Sequence, residues 1–453
     1  YFYNFSDDRI GYIKIKIMLN NKKIFSKKKI LIYGLGKSGL SAFKFLKNQN
    51  KLYLYDDIRI SNLNKEIRKK FISYKEIIKK NIDYIIISPG IDINKCILKK
   101  YLKKNLKKII TDLDIFFSIY KENKIITITG TNGKSTTAQI LYEILKKQKK
   151  DVRLVGNIGN PILLEKKITN KTIFVIEASS YQLYYSKFFK SNIGIILNIS
   201  PDHLERHKTL KNYINAKFKL IKNQTEKDYA ILNTNNIYIK RQLKREKYLP
   251  KIVKVNGKVK PKILKDINNP YFKTDGNKEN LSFILEIVKI FKIKKKNILS
   301  VLKNFSGLKY RQQVIFQSKD LTIINDSKAT SFSSSISILK SLSKVYWIVG
   351  GLKKKGDKFL LSKNDCKNFK AYIFGKNKIF FINKLKKVIE LESFENLKSL
   401  IKKIFIDINK DKNKKNKVIL FSPAAASFDN FKNFEERGEY FNNLVKTFNY
   451  AKQ

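Results

Sequence analysis

Ile125-Ile126-Thr127-Ile128-Thr129-Gly130-Thr131-Asn132-Gly133-Lys134-Ser135-Thr136 is the stretch whose reading decides the fold. It predicts an apolar strand that runs into a glycine loop and then into a helix opening at Lys134-Ser135. Glycines let backbone N–H groups turn inward onto phosphate oxygens, and a helix N-terminus adds favourable dipole charge. In such a loop Lys134 would neutralise the β/γ-phosphates, and the Ser135 hydroxyl would reach Mg²⁺. The common phosphate loop has four residues between its first glycine and the Gly-Lys pair. Here there are only two, and Ile128 stands where that first glycine would be. Strand, loop and helix together read as a phosphate site.

Downstream, Phe174-Val175-Ile176-Glu177-Ala178-Ser179-Ser180 places a carboxylate at the end of a hydrophobic strand. Ligands of parallel sheets gather at the carboxyl ends of strands, so Glu177 is placed to hold a metal ion, with a helix-capping glutamate as the competing reading. The next apolar run, Gly194–Asn198, leads into Ile199-Ser200-Pro201-Asp202-His203-Leu204-Glu205-Arg206-His207, which holds the only two histidines of the chain. An imidazole beside a strand end is a reasonable metal or phosphate partner.

The same alternation extends along the chain. Lys29–Gly34, Thr172–Ile176, Ile193–Asn198, Val345–Val349 and Val418–Phe421 are short apolar runs bounded by Gly, Ser, Pro or Asp. They read as buried parallel strands, and none approaches the ~20 apolar residues of a membrane span. Gly39–Gln49, Ser135–Lys147, Asn280–Phe291 and Phe434–Phe448 read as helices. The strand–glycine–helix opening restarts near Gly34, Gly130 and Asp326. The expected class is therefore α/β with three domains: a Rossmann-like N-terminal domain, a central mononucleotide-binding sheet of phosphate-loop type, and a Rossmann-like C-terminal domain. The expected boundaries are 18–111, 112–307 and 308–453, in keeping with about three domains for 453 residues.

The net charge of +59 invites a nucleic-acid reading. The excess is nearly all Lys, spread evenly and accompanied by abundant Ile and Asn, which A/T-rich codons explain without such a partner. The runs Lys294–Lys296 and Lys410–Lys417 read as a solvated helix end and a solvated loop. Cys96 and Cys366 lie far apart without metal-ligand spacing, which suits a reduced cytoplasm, and nothing reads as a membrane anchor. Met18 is the only methionine. Residues 1–17 lack the apolar core and cleavage site of a secretion signal and read as an extension outside the fold. Deleting them is expected to change neither activity nor melting temperature; a clear drop in either shows that they pack on the body.

Gly130–Thr136, Glu177-Ala178-Ser179-Ser180 and Asn198…Asp202-His203…Arg206-His207 together resemble the Mur ligases and their folylpolyglutamate synthetase relatives, in order and over essentially all of residues 27–448. The shortened phosphate loop fits that family. Ser422-Pro423-Ala424-Ala425-Ala426-Ser427-Phe428-Asp429-Asn430-Phe431-Lys432-Asn433-Phe434-Glu435-Glu436-Arg437-Gly438 is similar to the branch that adds D-glutamate. Asn325-Asp326-Ser327-Lys328-Ala329-Thr330 and Gly350-Gly351 agree, and the Asn-Pro-Arg motif of the diaminopimelate- or lysine-adding relatives is absent. The resemblance implies an ATP-dependent ligase that activates the carboxylate of UDP-N-acetylmuramoyl-L-alanine as an acyl phosphate and joins it to D-glutamate. The rival within the same chemistry is another Mur-type or folylpolyglutamate-type ligase. Outside it, the rival is a nucleotide-sugar-binding protein without catalysis.

By resemblance, ATP would be held by Gly130, Thr131, Asn132, Gly133, Lys134, Ser135 and Thr136, with Asn277, Arg311, Asp326 and Lys328 from farther along the chain. Gly34-Leu35-Gly36-Lys37-Ser38-Gly39 with Asp56 reads alone as a dinucleotide site. The family uses that loop for UDP, which assigns Gly36, Lys37, Ser38, Asp56, Gly90, Asn157 and Ser179 to the UDP-substrate. Thr330, Lys354, Ser427 and Phe434 would receive D-glutamate. Three lysines stand at that point, Lys353, Lys354 and Lys355, and the resemblance assigns the middle one. Lys134, Glu177, His203 and Lys217 would be catalytic. Ser135, Glu177, His203 and Lys217, the last as a carbamate, would hold two Mg²⁺ ions. Gly276-Asn277 stands where the family usually has His-Asn. A monomer is expected.

Overall fold

The computed structural model describes residues 24–58, 64–354, 357–411 and 417–450. The expected extension at residues 1–17, and Lys355, lie outside the described residues. Three sheets carry the chain. The N-terminal sheet has β1 (Lys29–Tyr33), β2 (Lys51–Tyr55), β3 (Tyr84–Ile87) and β4 (Ile109–Ile110) in the order β2-β1-β3-β4. The central sheet has β5 (Lys124–Thr129), β6 (Val152–Gly156), β7 (Ile173–Glu177), β8 (Ile193–Ile196), β9 (Tyr229–Asn233) and β10 (Lys251–Val255), ordered β10-β9-β8-β5-β7-β6. The third has β11 (Gln313–Gln317), β12 (Leu321–Asn325), β13 (Val345–Gly350), β14 (Phe369–Phe374), β15 (Glu390–Ser393) and β16 (Lys417–Phe421), ordered β11-β12-β16-β13-β14-β15. Every strand pair in these sheets is parallel except β11 with β12.

Parallel sheets are covered on both faces, so their strands are apolar nearly throughout. In β5, Ile125, Ile126 and Ile128 are buried, and its neighbours in the sheet are β7 and β8. That central position puts the phosphate loop at the carboxyl edge, between the ends of two flanking strands. The chain divides into two compact units, Tyr1–Lys258 with Ser282–Ile298, and Val259–Leu281 with Leu299–Gln453. The first unit holds the N-terminal and central sheets and the second holds the third sheet.

Two expectations need correction. The helix read at Asn280–Phe291 begins at Asp275 and ends at Ile290. Its first turn is polar, with Asp275 favourable at the helix N-terminus, so apolar periodicity alone cannot reveal it. Lys417 is not part of a solvated loop. It opens β16 with its side chain buried, and its Nζ donates to the carbonyls of Ile408 at 2.8 Å and Asp411 at 2.9 Å. A buried ammonium that satisfies carbonyls inside the fold reads, in sequence, like any other member of a lysine run.

Candidate active site

The loop after β5 turns at Gly133, whose φ of +83° favours glycine and which stands immediately before the helix Lys134–Lys147. Its backbone is fixed from the end of β8. Thr131 N donates to the Asn198 carbonyl at 2.9 Å, and Asn132 N donates to Asn198 Oδ1 at 2.8 Å. Lys134 folds back onto the loop and donates to the carbonyls of Gly130 at 3.0 Å and Thr131 at 2.8 Å. Ser135 Oγ donates to Glu177 Oε2 at 2.6 Å, and Asn157 Nδ2 donates to Glu177 Oε1 at 3.0 Å. Glu177 is buried at the end of β7, so the structure brings together Lys134, Ser135, Asn157 and Glu177. The capping reading of Glu177 is excluded, since it closes a strand.

Lys217 joins this cluster from the helix Leu210–Lys222. Its side chain is buried, its Nζ donates to the Gly130 carbonyl at 2.7 Å, and the ammonium lies 4.6 Å from the Tyr213 ring centre. Burial first, and the Lys134 charge second, push the Lys217 ammonium well below the ordinary lysine range, while Asp202 and Glu177 oppose that shift. Tyr213 connects the parts. Its hydroxyl is 3.0 Å from Thr131 Oγ1, and its ring centre is 6.3 Å from that of His203.

The two histidines part company. His203 has a left-handed backbone, φ +55°, and lies between Asp202 Oδ2 at 3.4 Å and Glu205 Oε1 at 3.6 Å. His207 is buried against Tyr181, with Nε2 3.0 Å from Ser180 Oγ, and burial chiefly lowers its pKa to about 4. It is a neutral packing residue at pH 7.

In the N-terminal sheet, the turn after β1 needs its glycines. A Cβ on Gly34 would lie 2.7 Å from Ser88 Cβ, and one on Gly39 would lie 1.9 Å from the Gly34 carbonyl oxygen. Asp56 accepts from Leu35 N at 2.6 Å and from Ile58 N at 3.0 Å, so both its oxygens hold backbone. Gly36, Lys37 and Gly90 are exposed, and Ser38 is half-buried. Ser179 is drawn into a capping box with Gln182 at the start of the helix Ser180–Tyr185. Its hydroxyl there serves the helix terminus first.

In the second unit, Asp326 is buried and accepts from Ser422 Oγ at 2.9 Å and Gln312 N at 3.1 Å. Burial raises its pKa to about 7, with the Ser422 hydroxyl, the Gln312 amide and Arg311 pulling the other way. Lys328 Nζ sits 3.7 Å from the Phe434 ring centre, which joins residues read for ATP and for D-glutamate. Ser427 is buried, Lys354 half-buried and Thr330 exposed. Asn277 is buried and donates its amide to the Tyr271 carbonyl at 2.9 Å and to Gln312 Oε1 at 3.3 Å, so these donors are taken up inside the fold.

Sequence reading gave no role to Asp202, Tyr213 or Arg437. Asp202 and Tyr213 lie inside or beside quoted motifs, and only their approach to Lys217 distinguishes them. Arg437 is fully buried and donates to Ser327 Oγ at 3.1 Å and to the carbonyls of Ser327 at 2.7 Å and Ala425 at 2.9 Å. It ties the loop after β12 to the loop after β16. Burial lowers its pKa to about 10.

Ser135 and Glu177 offer hard oxygen donors side by side next to the phosphate loop, which fits Mg²⁺. Among the described residues, no three His, Cys, Asp or Glu side chains form a further metal cluster.

Residues 128–298 match the Mur ligase middle domain, and residues 28–110 match the Mur ligase MurD-like N-terminal domain. The chain is 34% identical over 450 residues to a protein of Rickettsia bellii, covering 94% of this chain and 99% of that one. It is also 34% identical over 429 residues to a protein of Aquifex aeolicus, covering 92% and 98%. The chain belongs to the Mur ligase family. Both of these relatives are named UDP-N-acetylmuramoylalanine–D-glutamate ligase. The fold is also similar to the solved UDP-N-acetylmuramate–alanine ligase of Thermotoga maritima, with TM-score 0.55 and 17% identity over 93% of this chain and 99% of that one. A MurF ligase of Thermotoga maritima in complex with ADP aligns with TM-score 0.53 and 15% identity over 95% and 99%.

Proposed function

We propose that this chain is an ATP-dependent ligase that adds D-glutamate to UDP-N-acetylmuramoyl-L-alanine in peptidoglycan precursor synthesis. The observation that carries the reading is the near full-length likeness to ligases of that name. The cluster of Lys134, Ser135, Glu177 and Lys217 supports it, because those side chains suit phosphoryl transfer to a carboxylate. A carboxylate is a poor electrophile, and transfer of the ATP γ-phosphoryl group to it would release ADP and give an acyl phosphate. The neutral D-glutamate amine attacks its carbonyl carbon, the tetrahedral intermediate breaks the C–O bond to expel inorganic phosphate, and the amine gives up a proton. Negative charge spreads over the transferring phosphoryl group, and Lys134 and Arg311 are assigned to neutralise it. Bound Mg²⁺ supplies further charge neutralisation at the phosphates. Ser135 and Glu177 would hold one ion, and His203 with a carbamylated Lys217 a second.

The UDP-substrate is assigned to Gly36, Lys37, Ser38, Asp56, Gly90, Asn157 and Ser179, with Asp56 acting by shaping the glycine turn. Asn277, Asp326 and Lys328 are assigned to ATP. Thr330, Lys354, Ser427 and Phe434 are assigned to D-glutamate. The domain division at 111 and 307 is retained. No helix among the described residues is long and apolar enough to cross a membrane. The proposed setting is a cytoplasmic monomer that binds neither nucleic acid nor membrane.

The test is ADP release with UDP-N-acetylmuramoyl-L-alanine and a panel of D- and L-amino acids. D-Glutamate alone is expected to drive turnover; a different preferred amino acid overturns the assignment. Within it, Lys354→Ala is expected to raise the KM for D-glutamate ~10-fold or more and leave that for the UDP-substrate nearly unchanged. A charge-assisted contact to the side-chain carboxylate is worth ~1.5–3 kcal/mol. Unaltered glutamate kinetics move the role to Lys353 or Lys355.

A further inference from the structure

The loop after β3 presents three successive carbonyls to one guanidinium. Arg206 Nη1 donates to the Gly90 carbonyl at 3.2 Å, and Nη2 donates to that of Pro89 at 3.2 Å and to that of Ile91. Arg206 Nε lies 3.9 Å from Asp92 Oδ1, and the guanidinium lies 4.8 Å from the Tyr181 ring centre. The side chain is only 11% exposed. Arg206 sits in the short helix Leu204–His207 that follows the central strand β8, whereas the loop belongs to the N-terminal sheet of the same compact unit.

The loop is anchored at its other end as well. Ser88 N donates to the Tyr33 carbonyl at 2.9 Å, and Ser88 Oγ donates to the Gly34 carbonyl at 2.6 Å. One short segment is thus held between the glycine turn of β1 and an arginine three residues beyond His203 in the chain. We propose that Arg206 is a positioning residue that sets the Pro89–Ile91 loop, and so the UDP-substrate, against the phosphate loop; this rests on the ligase reading above. A guanidinium has five donors in a planar fork and can bind several carbonyls at fixed angles, which a lysine ammonium on a flexible stem cannot. Misplacing a reactant by about 1 Å can cost ~10²-fold in rate, so a fixed loop has kinetic value.

The experiment compares wild type, Arg206→Ala and Arg206→Lys. Arg206→Ala is expected to raise the KM for the UDP-substrate at least ~10-fold while the KM values for ATP and D-glutamate stay within ~2-fold. Arg206→Lys falls between the two, and added ethylguanidinium lowers the KM of the alanine variant. A second measurement does not depend on the ligase reading: amide hydrogen exchange at Ile91, whose N–H donates to the Ser88 carbonyl at 3.0 Å, accelerates in both variants with no substrate present. If wild type shows no turnover with the UDP-substrate, the ligase reading fails and the exchange data alone decide the role of Arg206. An unchanged KM for the UDP-substrate in an active variant, or unchanged exchange at Ile91, overturns the proposal.

Discussion

Lys134→Ala is expected to fold normally and lose more than nine-tenths of its turnover, a loss above ~1.4 kcal/mol in the barrier. The two carbonyls that Lys134 occupies lie in a loop at the edge of the sheet, and Gly130 keeps its bond from Lys217. Removing Lys134 also relieves its repulsion of Lys217. Stability therefore changes little. Catalysis changes greatly, because the ammonium's contact with phosphoryl oxygens strengthens as their charge redistributes in the transition state. Turnover retained above about a tenth of wild type, with an unchanged melting curve, refutes the phosphate-loop assignment.

Lys217→Ala is expected to lose at least ~10²-fold in turnover, about 2.7 kcal/mol, and to recover part of it with formate or acetate. A free ammonium beside Glu177 and a bound Mg²⁺ would repel the ion. Carbamylation converts +1 into −1 and adds two oxygen ligands of the kind Mg²⁺ prefers. Only the neutral amine reacts with carbon dioxide, and burial favours that form at this site. Wild type grown with ¹³C-bicarbonate should show a carbamate carbon resonance that the variant lacks. Full activity in the unsupplemented variant, or no carbamate signal in wild type, rejects the role.

What could be read from sequence was what is local along the chain. Ile125–Thr136 encodes strand, turn and helix within one short stretch, and the structure places the helix start at Lys134 as expected. The five apolar runs all became parallel strands because burial on both faces leaves a continuous apolar signature. The site was legible where a motif stood next to a strand end, as with Glu177. It was not legible where the chain folds back on itself. Ser179 serves a helix cap, Asn277 gives its amide donors to Tyr271 and Gln312, and Arg437 and Arg206 bind carbonyls from distant segments. Lys417 shows the same limit, since a lysine run has no mark for the member that turns inward.

The long separations inside the phosphate loop also impose an order in time. The loop's anchors lie 42 residues away at Glu177, 66 at Asn198 and 87 at Lys217. During synthesis the glycine turn emerges from the ribosome well before the strands that flank β5 on either side. At about 5–20 residues per second, several seconds pass before Lys217 follows. For the first part of that interval β5 is an apolar segment with neither neighbour made; β7 follows at Glu177 and β8 at Ile196, both before Lys217. The anchors of the loop are all made only once the helix Leu210–Lys222 has been synthesised, so the local motif that is legible earliest in sequence is completed late in the growing chain.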